Sequence, residues 1–183
     1  DADDAASSAS TRGGSGDDDR AVVTLALAGG GTVDVPARAA ARASPVLGRL
    51  VDRGGGAQFR ESRTGVFSLA AHPPAAVRGV AAWVAAADGP PKRAAAAALL
   101  TDGALVVAAA RLAHFLQIAP LCDAALDAIG SALDRSNAPS ILLLARELGS
   151  RPLEERAVAY AAAQFGAIRR KLWRNSAQTL AQF

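Results

Sequence analysis

The sequence contains no methionine, one cysteine, two histidines and eight aromatic residues in 183 positions. Each shortage excludes something. Without a second cysteine, Cys122 forms no internal disulfide and completes no cysteine-based metal cluster, which fits a reducing, intracellular setting. His72 and His114 stand outside any HxxH or HExxH spacing, and no CxxC accompanies them, so no metal and no cofactor is expected. Long apolar runs are missing as well. Stretches such as residues 94–100 stop far short of the roughly 18 residues that a helical membrane span needs, and no charged-then-apolar leader pattern opens the sequence. The scarcity of large side chains also bears on the core. Hydrophobic types make up 51% of the chain, but 47 of those residues are alanine. A core of this composition must be closed by near approach of helices rather than by bulky side chains.

Charge is present but unevenly placed. Residues 1–19 hold six Asp against one Arg, a net of −5, so the remainder carries +8. The acidic segment contains no bulky apolar residue, and residues 1–20 are expected to be a disordered acidic tail. The basic excess of the body is nearly all Arg, scattered at Arg38, Arg42, Arg49, Arg53, Arg60 and Arg63 and onward. Scatter of this kind describes a solvated surface; a nucleic-acid footprint requires the charges on one face.

The apolar spacing has period two near the N-terminus. Residues 22–27 and 32–35 read as strands joined by Gly29-Gly30-Gly31, a hairpin turn that tolerates positive φ. The same glycines are no phosphate loop, because no GK[ST] follows. Pro36 stops the second strand, residues 37–43 form a short Ala/Arg helix, and Gly54-Gly55-Gly56 breaks the chain. Phe59 and the alternation at Val66, Phe67, Ser68 and Leu69 suggest a third strand region with a turn at Gly65.

From Pro73 onward the period becomes about 3.6. Pro73-Pro74 opens a helix with Val77, Val80, Ala81 and Val84 on one face and Trp83 beside it, ended by Asp88-Gly89-Pro90-Pro91. Residues 94–100 have helical propensity. Asp102 is the N-cap of a helix presenting Leu105, Ala109, Leu112 and Leu116, ended near Pro120. Residues 121–133 place Leu126, Ile129 and Leu133 on one side. Asn137 caps the next helix, with Ile141, Leu144, Ala145 and Leu148 as its buried stripe and Gly149 as its stop. The last helix, with Glu154 and Glu155 in its first turn, is expected to bury Val158, Ala161, Phe165, Ile168 and Leu172.

Little in this chain points to catalysis. His114 and Cys122 are about 12 Å apart even along a continuous helix, too far for a base and its nucleophile. His114 reads as a packing or rim residue, Cys122 as a small hydrophobe and His72 as part of a turn. Glu154 and Glu155 point about 100° apart on a helix and make no acid/base pair. Arg169, Arg170, Lys171 and Arg174 with Trp173 form the one basic run containing an aromatic, which a solvated helix end explains without a nucleic-acid partner.

Three segments together resemble a BTB/POZ domain followed by the start of a BACK region. Val33-Asp34-Val35-Pro36 running into Ala41-Arg42-Ala43-Ser44-Pro45-Val46-Leu47 is similar to the strand, helix and Ser-Pro signature of that family. Phe59-Arg60-Glu61-Ser62, followed by Val66 and Leu69, resembles its F-x-E-S segment and the next strand. Residues 105–133, with Ala110, Leu116-Gln117-Ile118 and Leu121, resemble its helical pair, and residues 136–165 resemble the BACK start. The order and spacing of these segments cover about residues 22 to 168. Alanine stands at positions 40, 85 and 125, where the family has Leu, Tyr and Cys.

The resemblance implies an α+β fold, with a short N-terminal β-sheet region and a cluster of α-helices (BTB/POZ-like), then helical hairpins (BACK-like). The implied divisions are residues 1–20 as tail, 21–134 as the BTB/POZ-like domain and 135–183 as a partial BACK-like region. It implies no enzyme but an interaction module, forming a homodimer or a BTB heterodimer and docking a cullin scaffold, so that substrates reach a ubiquitin ligase in the cytoplasm or nucleus. The implied protein-binding residues are Ala37, Ala40, Ala41, Ser44, Trp83, Val84, His114, Phe115 and Gln117. A basic helical module binding nucleic acid is the alternative, resting on the +8 body and the run at 169–174.

Overall fold

A computed structural model of the chain describes residues 21–51, 64, 66–86 and 89–180, with side chains described as far as Gly166. The tail at 1–20, Gly54-Gly55-Gly56, Phe59, Gly65 and Asp88 lie outside the described residues, as do the side chains of the basic run at 169–174.

Alternation of apolar residues produces a three-stranded sheet with the order β2-β1-β3. β1 (Val22–Ala26) pairs antiparallel with β2 (Thr32–Pro36), setting Val23 opposite Val35 and Leu25 opposite Val33. β3 (Val66–Ser68) lies parallel to β1 on its other side, with Leu25 opposite Phe67. Val23, Leu25, Leu27 and Val35 turn into the core. Gly29 and Gly30 take φ of 84° and 90°, so the glycine run is the hairpin turn, closed by a bond from Leu27 N–H to Gly31 C=O at 2.8 Å.

Among the described residues, two short helices follow β2. α1 (Ala37–Ala43) leaves β2 directly after Pro36, and α2 (Pro45–Val51) follows after a break at Ser44, whose backbone is extended ahead of the proline. Next come α3 (Pro74–Ala85), α4 (Pro90–Leu100), α5 (Gly103–Phe115) and α6 (Ala119–Ser131). The helices α7 (Ala138–Glu147) and α8 (Arg151–Leu180) complete the described chain. Val77, Val80, Ala81, Trp83 and Val84 of α3 are all buried. Asp102 caps α5 by accepting hydrogen bonds from the N–H groups of Ala104 and Leu105.

Several expectations are corrected. Pro90-Pro91 does not merely end α3; the pair opens α4, and Pro120 likewise sits in the first turn of α6, where a missing N–H costs nothing. Asn137 makes no side-chain cap on α7. Its amide instead reaches backward, accepting from Asp134 N–H and donating to Ala132 C=O, both at 2.8 Å, and so ties off the end of α6. The expected stripe of α8 faces the wrong way. Leu153 and Ala157 are the buried residues, whereas Val158 and Phe165 are 48% and 74% exposed. A stripe read from spacing alone has no origin on the helix circumference, and α7 selects the neighbouring face.

The buried residues form two clusters. The first joins the sheet to α1 through α5 and the first turn of α6, with Leu47, Leu69, Val77, Leu99, Leu112, Leu116 and Leu121 among its members. The second lies among α5, α6, α7 and α8 and includes Val106, Ile129, Ile141, Leu144 and Leu153. Opposite faces of α5 serve both: Ala109 and Leu112 in the first, Val106 and Ala110 in the second. Alanine makes this sharing possible. Ala40 and Ala125, at two of the positions where a larger residue was expected, are completely buried, so the helices have closed in around them; Ala85, at the third, is exposed. No single described helix is long and apolar enough to cross a membrane.

Candidate protein-binding surface

The expected binding residues divide by burial. Ala37, Ala40, Ser44, Trp83 and Val84 lie inside the first core cluster or against it, each less than a tenth exposed. Ala41, His114, Phe115 and Gln117 face solvent. Trp83 is buried on α3 with Lys92 Nζ 4.3 Å from the centre of its ring, so its π face serves an internal cation contact.

Ser44 connects the two groups. Its hydroxyl donates to the carbonyl of Leu116 and accepts from Leu47 N–H at 3.1 Å, which anchors the α1–α2 junction beneath the end of α5. That end is a Schellman turn. Gln117 N–H bonds to His114 C=O at 3.0 Å and Ile118 N–H to Ala113 C=O at 2.8 Å, with Gln117 in the left-handed region at φ 57°. The turn directs His114, Phe115 and Gln117 outward while Leu116 and Ile118 are fully buried.

Around Phe115 the tertiary fold assembles a cluster that sequence spacing did not reveal. Phe67 of β3 stacks on it with ring centres 6.1 Å apart, and His72 lies tilted against it at 5.5 Å. Burial holds the His72 imidazole below its usual pKa, favouring the neutral ring. Phe115 itself remains 49% exposed, giving the patch an apolar centre. Phe67 and His72 are far from Phe115 in sequence, and only the parallel pairing of β3 with β1 brings them there.

Elsewhere the ionic contacts are structural. Arg111 of α5 forms a two-pronged bond to Glu147 of α7, at 2.8 and 2.7 Å, which holds the Glu147 carboxyl below its ordinary range. Asp134 accepts from the Ser136 hydroxyl and from the N–H groups of Ser136 and Asn137, and these bonds lower its pKa as well. Desolvation pushes the Cys122 thiol up, with the Asp123 charge adding to it, so the thiol stays protonated and unreactive.

A groove of about 390 Å³ lies among α5, α6 and α7, lined by Val106, Val107, Ile129, Ile141 and Leu144 together with Arg111, Asn137 and Ser140. A smaller one of about 220 Å³ lies between α6 and α8, with Asp123, Asp127 and Arg156 on its wall. Among the described residues no three of His, Cys, Asp or Glu converge as a metal site would require. Compared with known proteins, the chain matches no family model, and no curated protein matches it at a significant level.

Proposed function

We propose that this chain is a protein–protein interaction module that dimerises and serves as a substrate adaptor for a cullin-type ubiquitin ligase inside the cell. The observation that carries the reading is the Ser44-Pro45 junction. This pair is the matched part of the signature on which the resemblance rests, and here it separates α1 from α2 while the Ser44 hydroxyl holds the end of α5. Among the described residues, the order of a β-hairpin, two short helices, a third strand parallel to the first and then successive helices agrees with the same reading. The patch of Phe115, Phe67 and His72 offers a partner an apolar anchor of the kind interfaces are built around.

Sedimentation of the full chain at micromolar concentration should find a dimer, and a purely monomeric chain removes that part of the reading. Pull-down with a cullin N-terminal domain should recover the chain, with recovery lost on Phe115→Asp; no recovery of the unmodified chain removes the adaptor role. The nucleic-acid alternative has less behind it, because Arg111, Arg146, Arg151 and Arg156 each lie against a carboxylate of their own chain. RNA binding that weakens steeply as salt rises would favour that alternative over the adaptor.

A further inference from the structure

Charge is divided between the two halves of the described chain. Among the described residues from 21 to 100 the cations are Arg38, Arg42, Arg49, Arg78, Lys92 and Arg93, against one acid, Asp34, which accepts a hydrogen bond from Thr24 Oγ1 at 2.7 Å. In the helical half, Arg111, Arg146, Arg151 and Arg156 lie against carboxylates of their own chain, whereas Arg42 and Arg49 form no ion pair among the described residues. These two arginines stand together. α1 and α2 touch at Ala41 and Gly48, where a side chain at position 48 would lie 3.5 Å from the Ala41 carbonyl oxygen. Arg42 and Arg49 each follow that contact by one residue, and both are exposed. Arg38, one turn before Arg42, is exposed on the same side of α1.

We propose that Asp17-Asp18-Asp19 pairs with Arg42 and Arg49 of the same chain, so that the acidic segment covers this arginine face. The path of the chain into the fold places the aspartates within reach. Ala37, the first residue of α1, donates its N–H to the Ala21 carbonyl at 2.8 Å, so the chain enters β1 beside the start of α1. The three aspartates precede Ala21 by two to four residues, at most about 14 Å of extended chain, and Arg42 lies about 7.5 Å along α1 from Ala37. The charges match as well. Arg20 offsets one of the three carboxylates and leaves two for the two guanidinium groups. An exposed ion pair is weak on its own, but here the chain itself is the tether, and a short tether holds its two ends at an effective concentration in the millimolar range. An acidic ligand approaching Arg42 and Arg49 must first displace the segment, which therefore sets a threshold for such ligands. The proposal needs neither a dimer nor a cullin and does not depend on the adaptor reading.

Carbodiimide crosslinking, which joins an amine directly to a carboxylate, tests it on the full chain carrying Arg42→Lys, an exposed change that keeps the charge. In about 10 mM salt, mass spectrometry should find the new amine bound to Asp17, Asp18 or Asp19. In about 1 M salt, where the Debye length has fallen from about 30 Å to about 3 Å, the yield should drop about fivefold or more. Arg135→Lys, exposed between α6 and α7, is the control and should capture these aspartates far less. Mixing heavy-nitrogen-labelled with unlabelled chains assigns the crosslink, whose two ends should carry the same label. In a second readout, the chain with Asp17→Asn, Asp18→Asn and Asp19→Asn should bind heparin about twofold to fivefold more tightly, the size of one exposed ion pair. That gain should be at least halved when Arg42→Gln and Arg49→Gln are also present. A yield indifferent to salt, equal capture in the Arg135→Lys control, ends of mixed label, capture of Asp52 or Glu61 in place of the three aspartates, or the same heparin gain in both backgrounds would each overturn the proposal. None of these readouts touches dimer sedimentation or cullin recovery, so the adaptor reading stands or falls separately.

Discussion

Ser44 and Leu116, 72 positions apart, are joined by a short hydrogen bond from the Ser44 hydroxyl to the Leu116 carbonyl, and both residues are completely buried. The same oxygen accepts from Leu47 N–H, so one side chain satisfies two backbone groups of different helices. Ser44→Ala leaves both groups without that partner in the core, a loss of about 1–3 kcal/mol. Urea denaturation should show the midpoint falling with an unchanged slope. A shift no larger than that of an exposed Ser→Ala change would mean the junction is held by packing alone.

Gly79 of α3 faces Leu99 of α4, a fully buried residue, and a methyl group on Gly79 would overlap the Leu99 side chain at Cδ2 and Cγ. Glycine inside a helix ordinarily gains about 1 kcal/mol on replacement by alanine. Here crowding opposes the gain, at about 1–3 kcal/mol for an overpacked core. Gly79→Ala should therefore lower the thermal midpoint, and Gly79→Ala with Leu99→Val should recover part of it. A stabilised single variant would show that α3 and α4 move apart at little cost.

Two Schellman turns differ in one residue type. α7 ends with Gly149 at φ 63°, whose N–H bonds to Arg146 C=O, and Ser150 N–H bonds to Ala145 C=O. α5 ends in the same pattern but with Gln117 in the left-handed position, where a side chain costs roughly 1–2 kcal/mol. Gln117→Gly should stabilise the protein by about 0.5–1 kcal/mol after the added freedom of the unfolded glycine is counted. Gly149→Ala should have the opposite sign. Equilibrium unfolding of both variants checks the pair, and a destabilising Gln117→Gly would point to an unrecognised contact of the Gln117 side chain.

Acid should weaken the helical half first. The folded-state pKa values of Asp134 and Glu147 lie below the ordinary carboxylate values, the first through hydrogen bonds to Ser136 and Asn137 and the second through Arg111. As pH falls through the carboxylate range the unfolded chain therefore binds more protons than the native one, so stability present above about pH 5 is lost progressively toward about pH 3. Asp134→Asn and Glu147→Gln should each flatten that limb slightly and lower the neutral-pH midpoint by the same small amount, because the stability lost in acid is the stability the ionised group supplies at neutral pH and both groups are solvent-screened. Parallel acid limbs in the variants and the parent would assign the loss to other carboxylates.

Elements with a local chemical signal were legible in the sequence. The glycine run makes the β1–β2 turn because it tolerates positive φ, Asp102 caps α5 because its short carboxylate reaches two free N–H groups, and Gly149 stops α7. Asn137 reads from sequence as the cap of α7 but closes α6 instead, because an amide can serve the helix ahead or the one behind, and only the position of Asp134 and Ala132 decides between them.

The sequence by itself determined the change from period two to period 3.6, where most helices begin and end, and an alanine content that requires helices to pack closely. Tertiary structure decided which side of each helix is buried. Spacing defines a stripe but not the neighbour it meets, and for α8 the neighbour is α7, which takes Leu153 and Ala157 and leaves Val158 and Phe165 in solvent. It also decided the candidate site. Phe115 gains Phe67 and His72 through strand pairing across more than forty residues, and Ser44 becomes a buried linchpin through a bond 72 positions long. Contacts of that range depend on the mutual placement of finished elements, which no local pattern of residues encodes.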